Sequence, residues 1–183
     1  MKNNYEIRGE VTAIFLKRRD GTVFETLVDT NDLARLQAIN GTIFSKWHND
    51  TRDFRAMFSL GKEKKILLHR IILNAPPGLQ VDHINHNALD NRQSNLRIVT
   101  NSENAQNKIG ANRSNRFSRS IGVYWHSRDK AWAAKIKINY KDIWIGYFDK
   151  KEDAEKAVFE ARAKLMPFSQ EAMESHCPIH GHL

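Results

Sequence analysis

The 183-residue sequence has one cysteine, Cys177. A lone thiol excludes a disulfide within the chain and any zinc cluster built from several cysteines. No apolar stretch approaches the roughly 20 residues needed to span a bilayer. With a mean hydropathy of −0.61, a membrane protein is excluded. The opening MKNNYEIRGE lacks the apolar core of a secretory signal, which leads to the expectation of a cytoplasmic location. Acidic residues are also few: 21 Asp and Glu stand against 29 Lys and Arg, giving a net charge of +8 and a pI near 9.7. Such an excess points to a polyanionic partner, because phosphate neutralisation drives affinity whatever the sequence bound. What is present in quantity is apolar residue, 40% of the chain, enough for one or two packed units.

Three textures follow one another. Residues 1–65 read as a β-rich region. Apolar-rich segments at 11–16 and 22–28 flank Asp20-Gly21, a hairpin signal. A short helix is expected after Asn31, then short strands near 42–47 and 56–60; no chemistry is visible in this region. Residues 66–109 hold a dense His, Asn and Asp set, and residues 121–166 read as three strands and a helix. The segment between, 110–120, is basic, and residues 105–120 contain no acidic side chain. It suits a solvated linker and equally a basic arm along a polyanion.

The informative run is 79–104. Pro76-Pro77-Gly78 forces a turn, after which 79–83 reads as a short strand. A loop rich in Asn, Asp and His covers 84–94, and 96–99 reads as a second strand. Thr100-Asn101-Ser102-Glu103 fits a capping box, so a helix is expected from Thr100 with Asn104 in its first turn. Asp82 and His83 point to opposite faces of a strand unless it ends there. A strand end at His83 brings both towards one phosphate. A neutral imidazole beside a carboxylate–amide metal site supplies what phosphodiester hydrolysis needs. With one cysteine, metal ligands must be oxygens or imidazoles, which favours Mg²⁺ or Mn²⁺.

The run resembles the HNH (ββα-metal) nucleases, most closely the phage and intron-encoded homing endonucleases of that family. The resemblance rests on Asp82-His83, Asn95 twelve positions on and Asn104 nine beyond that, with His69-Arg70, Pro77-Gly78, Asp90-Asn91-Arg92, Asn95-Leu96-Arg97 and Glu103-Asn104 around them. It implies that His83 is the general base and that Asp82 and Asn104 hold one divalent ion. It also implies that Asn95 braces the loop and orients His83, and that the ends left are 5′-phosphate and 3′-hydroxyl. For Asn91 or Asn95 alone, a turn-satisfying role is the simpler reading. His86 reads as a loop residue and His69 as a packed structural histidine. Arg97 reads equally as a phosphate contact or a solvated cation.

From residue 121, Gly122-Val123, Trp132-Ala133-Ala134, Ile145-Gly146-Tyr147-Phe148 and an alanine-rich helix are similar to the ethylene-response-factor DNA-binding domain. Trp132, Ala134, Ile136 and Ile138 alternate with Lys135 and Lys137, so one side packs while the other presents cations. A stripe of Ala154, Ala157, Val158, Ala161 and Leu165 would cover the sheet. The resemblance implies base reading by the open sheet face. The candidate DNA contacts are Arg97, Lys108, Arg113, Arg116, Arg119, Arg128, Lys135 and Lys137, with Trp125 or Trp144 as apolar contacts and Trp132 in the core. The tail, 167–183, reads as disordered; Cys177 and His180 have ligand spacing but no matching partners.

The expected fold is therefore α+β: a β-rich N-terminal region, a ββα-metal core, a basic linker and a sheet-plus-helix domain. The expected activity is metal-dependent cleavage of double-stranded DNA at a homing site, by a monomer or homodimer with no membrane and no small-molecule cofactor. A DNA-binding regulator with an inactive core and a non-specific nuclease are the other readings.

Overall fold

Tyr5–Arg8 (β1), Val11–Lys17 (β2) and Val23–Asp29 (β3) form an antiparallel sheet in that order. The turn between β2 and β3 is the Asp20-Gly21 hairpin, in which Gly21 takes φ +86°, a conformation that favours glycine. β1 was not foreseen, because all four of its residues are exposed and no apolar alternation marks it. A 3-10 turn at Thr30–Asp32 leads into α1 (Leu33–Ala38), which buries Leu33 and Leu36. A second antiparallel sheet comprises Thr42–His48 (β4), Asp53–Ser59 (β5) and Lys65–Leu67 (β6). Asn3 joins the two sheets: its amide donates to Phe15 O at 3.0 Å and Ile43 O at 2.7 Å, and its oxygen accepts from Ile43 N–H at 2.7 Å.

The helix Leu68–Ile72 (α2) follows β6 directly, and the chain then turns at Gly78 into Gln80–His83 (β7), which pairs antiparallel with Leu96–Val99 (β8). Leu16, Val28, Phe58, Leu68, Val81 and Leu96 belong to one buried cluster. Each such side chain contributes about 1.5–3 kcal/mol by leaving water. The β-rich region and the β7–β8 pair thus share a core, and the first compact unit runs Met1–Val99 rather than dividing near residue 65.

The second unit begins at Thr100. Asn101–Gln106 (α3) opens with the capping box, Glu103 N–H donating to Thr100 Oγ1 at 3.2 Å and Thr100 N–H to Glu103 Oε2 at 2.7 Å. Val123–His126 (β9), Ala131–Ile138 (β10) and Lys141–Phe148 (β11) form an antiparallel sheet with β10 central. Lys151–Leu165 (α4) covers one face, burying Ala154 and Val158 against Val123, Ala134 and Ile136. Gly122 is required by two constraints: its φ is +71°, and a Cβ would lie 2.4 Å from Lys135 O.

Three expectations for this unit are corrected. Asp149-Lys150-Lys151-Glu152 reads in the sequence as a helix-capping pattern, but Lys150 takes the N-cap of α4 with no side-chain cap bond; Glu152 and Asp153 in the first turn face the helix dipole favourably instead. Leu165 is 43% exposed and leaves the apolar stripe, while Met166 and Arg162 are buried. The tail is not disordered from residue 167, since Gln170–His176 forms α5. Its anchor is Arg162, 4% exposed, whose guanidinium meets Glu171 Oε1 at 2.7 Å and Gln106 O at 2.8 Å. Removing one partner from such a buried pair typically costs about 3–5 kcal/mol, and an ion pair of this kind leaves no apolar signal in sequence.

The structure is a computed structural model, which describes residues 1–49, 51–61, 64–108, 110, 115 and 117–176, without the side chain of His176. Its small antiparallel sheets and separate helices make a mixed architecture compatible with α+β. Among the described residues no helix is long and apolar enough to cross a membrane.

The shared core is testable. Phe58→Ala should cost about 3–5 kcal/mol and weaken amide protection in β7 and β8 along with β4 to β6, measured by native-state hydrogen exchange. Unchanged protection in β7 and β8 would show two separate cores.

Candidate functional site

The register of β7 on β8 sets Asp82 directly opposite Arg97 and His83 opposite Leu96. Asp82 is 9% exposed. Its Oδ2 accepts from Arg97 Nε at 2.9 Å and lies 2.8 Å from Nη2. The sequence reading puts Arg97 on phosphate or in solvent; the structure puts it on Asp82, because cross-strand neighbours of opposite charge meet. A carboxylate has about four lone-pair sites, so a guanidinium on one oxygen does not exhaust it. As a hard oxygen donor, Asp82 fits Mg²⁺ or Mn²⁺, ions that keep much of their water. Among the described residues no group of three or more His, Cys, Asp and Glu side chains forms a metal cluster.

β7 ends at His83, and the loop beyond it is held by its own side chains. Asn95 is the main brace. Its carbonyl accepts from Ile84 N–H at 2.9 Å, its Oδ1 from Asn85 N–H at 2.9 Å, and its Nδ2 donates to Asp90 O at 2.8 Å. Asp90, 2% exposed, takes Arg92 Nε at 2.7 Å, Arg92 Nη2 at 2.6 Å and Asn85 Nδ2 at 2.9 Å. The Arg92 guanidinium holds the Asp90 carboxyl below the usual carboxylate range. His86 is exposed and takes φ +62°.

His83 Nε2 lies 3.3 Å from Asn91 Oδ1, and its ring meets that of His69 edge-on at a 5.0 Å centroid separation. Burial pushes the His83 imidazole down; the Asn91 bond, Asp82 and Asp90 oppose this, and the Arg55 charge reinforces it. A ring shifted downward is neutral at pH 7, the state a general base requires. His69, 5% exposed, is pushed down to about 3, by burial first and then by His83, Arg55 and Arg70.

Sequence reading missed Asn91 as a partner of His83 and Arg55 as a charge acting on both histidines. The signal for Asn91 was its place in Asp90-Asn91-Arg92. For Arg55, in β5, there was none.

The other candidates lie in the second unit. Asn104 is exposed in α3, its N–H donating to Thr100 O at 2.9 Å. Lys108, Arg119 and Arg128 are exposed, and Arg113 and Arg116 lie outside the described residues. Lys135 and Lys137 both approach Asp142, at 2.7 and 3.5 Å. Trp144 and Tyr147 meet edge-on at 4.8 Å and Tyr147 meets His126 at 5.4 Å, while Lys135 Nζ lies 5.8 Å from the Tyr124 ring centre. Trp125 instead packs on Trp132 at 5.3 Å, with Phe117 stacked on the same Trp132 at 5.7 Å. Trp144, 49% exposed, is therefore the better apolar contact of the two considered.

Residues 67–106 match the protein family described as HNH endonuclease. An uncharacterized HNH endonuclease of Acanthamoeba polyphaga mimivirus is 38% identical over 69 residues, covering 34% of this chain and 35% of that relative. The chain thus spans about a third of the length of the curated relative it matches. No solved structure matches.

The buried His69 makes stability depend on acid. His69 in the folded chain holds its proton only near pH 3, whereas the unfolded ring titrates at about 6.5. Below about 6.5 the unfolded state therefore binds more protons, and stability falls as pH drops. Urea unfolding at pH 7.5, 6 and 5 should show this loss in a range where the carboxylates stay charged. His69→Gln should flatten the profile; an equally steep profile in that variant would assign the acid sensitivity elsewhere.

Proposed function

We propose that this protein is a DNA endonuclease that hydrolyses phosphodiester bonds with one divalent ion, Mg²⁺ or Mn²⁺. The observation that carries the reading is the half-buried imidazole of His83 at the end of β7, its pKa pushed down by desolvation, beside the carboxylate of Asp82 and within the segment that matches the HNH endonuclease family. The ββα-metal core would comprise β7, its loop, β8 and α3.

His83 takes a proton from the attacking water, and its depressed pKa keeps it ready at neutral pH. Asn95 and Asp90 hold the loop so that the ring does not swing. Asp82 and, by the resemblance, Asn104 would hold the divalent ion, which when bound stabilises charge on the leaving oxygen. Arg97, donating to Asp82 Oδ2, holds that carboxylate in place across the strand pair. The second unit offers a cationic, aromatic sheet face with Tyr124, Lys135, Lys137, Trp144 and Tyr147, and we assign it to double-stranded DNA. Phosphate contacts there add affinity, and base-edge contacts add discrimination worth about 1–3 kcal/mol per good pair. A site-specific enzyme of the homing type is the reading this division favours.

Supercoiled plasmid incubated in Mg²⁺ should yield nicked or linear product. His83→Ala should abolish cleavage while DNA affinity stays within a few-fold, and Asp82→Ala should lose cleavage and Mn²⁺ binding by calorimetry. Asn104→His should retain activity, since a neutral imidazole can also ligate a divalent ion. Near-normal turnover in His83→Ala would remove the base assignment, and DNA binding without cleavage by the wild type would point to a regulator.

The sheet face has its own test. Lys135→Ala with Lys137→Ala should leave Mn²⁺ binding intact and weaken DNA binding across a salt series. A uniform loss with a shallower salt slope means phosphate contact; a loss confined to a cleaved sequence means base reading. Affinity equal to wild type at every salt concentration would remove the face from the DNA-binding surface.

A further inference from the structure

The loop that carries Asn91 is held from outside the matched segment, by β3. Leu27 and Asp90 form a parallel β-bridge: Leu27 N–H donates to Leu89 O at 2.9 Å, and Asn91 N–H donates to Leu27 O at 2.8 Å. Beside this bridge Thr26 is fully buried and Asn91 is 1% exposed. The Thr26 hydroxyl donates to Leu89 O at 2.8 Å, and Asn91 Nδ2 lies 2.8 Å from the same Thr26 Oγ1.

The proton count in this chain of contacts has one solution. A hydroxyl carries a single proton, and a carbonyl oxygen cannot donate, so the Thr26 proton points at Leu89 O. Towards Asn91, Thr26 can then only accept, which turns the NH₂ end of the Asn91 amide to Thr26. The other amide proton faces Ala88 O at 3.5 Å. Asn91 Oδ1 is thereby directed at His83 Nε2, 3.3 Å away. An amide oxygen only accepts, so Nε2 carries the ring proton and the lone pair of the neutral imidazole sits on Nδ1. Had the amide the opposite orientation, the ring would need the opposite tautomer.

We propose that Thr26 is a positioning residue for His83: acting through the Asn91 amide, it selects the Nε2–H tautomer and presents Nδ1 as the basic nitrogen. The N-terminal sheet is then a working part of the nuclease site and more than a platform beneath it. The proposal rests on the reading of His83 as the base. Removing the hydroxyl takes away the group that decides the orientation of Asn91, and a fraction of molecules shifts to the tautomer with no lone pair on Nδ1. Thr26 and Asn91 are both out of reach of DNA, so the loss falls on turnover and not on binding.

The experiment uses the full chain with Thr26→Val, which keeps the shape, and Thr26→Ser, which keeps the hydroxyl. The substrate is a supercoiled plasmid that the wild type cuts in Mg²⁺. Thr26→Val should lower kcat roughly 10- to 100-fold, the range seen when a group orienting a functional histidine is removed, with KM unchanged; Thr26→Ser should restore most of the rate. In parallel, ¹⁵N NMR of histidine-labelled protein, with the His83 signals assigned by His83→Gln, reads the tautomer without reference to activity. Wild type and Thr26→Ser should show Nε2–H, and Thr26→Val a mixture. Wild-type kcat in Thr26→Val, or an unchanged tautomer in it, overturns the relay. So does an Nδ1–H ring in the wild type, which decides the matter even if Thr26→Val does not fold. If no plasmid is cut by any form while the tautomer shifts as described, the relay stands and the nuclease reading fails.

Discussion

A buried polar loop must find a partner for each donor and acceptor it takes out of water, and the site of this protein is shaped by that requirement. Residues 84–95 carry Asp90, Asn91 and Asn95 at 2, 1 and 6% exposure. Leaving such a group unpaired costs about 1–3 kcal/mol, and more if it is charged. Their partners are one another, Arg92, Asn85 and Thr26. Because almost every contact is specified at both ends, the loop has little freedom to hold His83 in another way. The cost of a mistake anywhere in the set is what makes the arrangement rigid.

Local signals were legible in the sequence and distant ones were not. The Asp20-Gly21 hairpin, the β7 and β8 strands and the Thr100–Glu103 capping box each depend on neighbours within a few positions, and each formed where expected. Asn91 looked like a turn residue because its role needs Thr26, 65 positions earlier. Arg97 looked like a surface cation because its partner is named only by strand register. The tail looked disordered because it is held largely by polar contacts, among them Arg162 with Glu171, Phe168 N–H with Gln106 and Gln170 with Asn107, which no apolar periodicity marks. Composition described the surface well and the buried polar contacts poorly.

The two units carry equal net charge, +4 each, but use it differently. Around His83 the cations Arg92 and Arg97 are committed to Asp90 and Asp82, so they stabilise the fold and tune the site. On the sheet of the second unit, Lys137 keeps a 63% exposed side chain and shares Asp142 with Lys135. Exposed pairs of this type contribute little stability, with a median near 0–1 kcal/mol. Their release to a phosphate therefore costs the fold almost nothing, whereas release of Arg92 would leave a buried carboxylate unpaired.

The shared core has a consequence for any attempt to move the proposed site into another protein. The family-matched stretch, residues 67–106, is not a transplantable cassette. Cut out, it would expose Leu68, Ile72, Val81 and Leu96, which pack with Phe58 and Leu16 from the strands before it. At its other end, Gln106 would lose the contacts it makes with Arg162 and Phe168. A folded graft would have to carry β2 to β5 with it, so the smallest piece able to pack this stretch is larger than the stretch that matches the family.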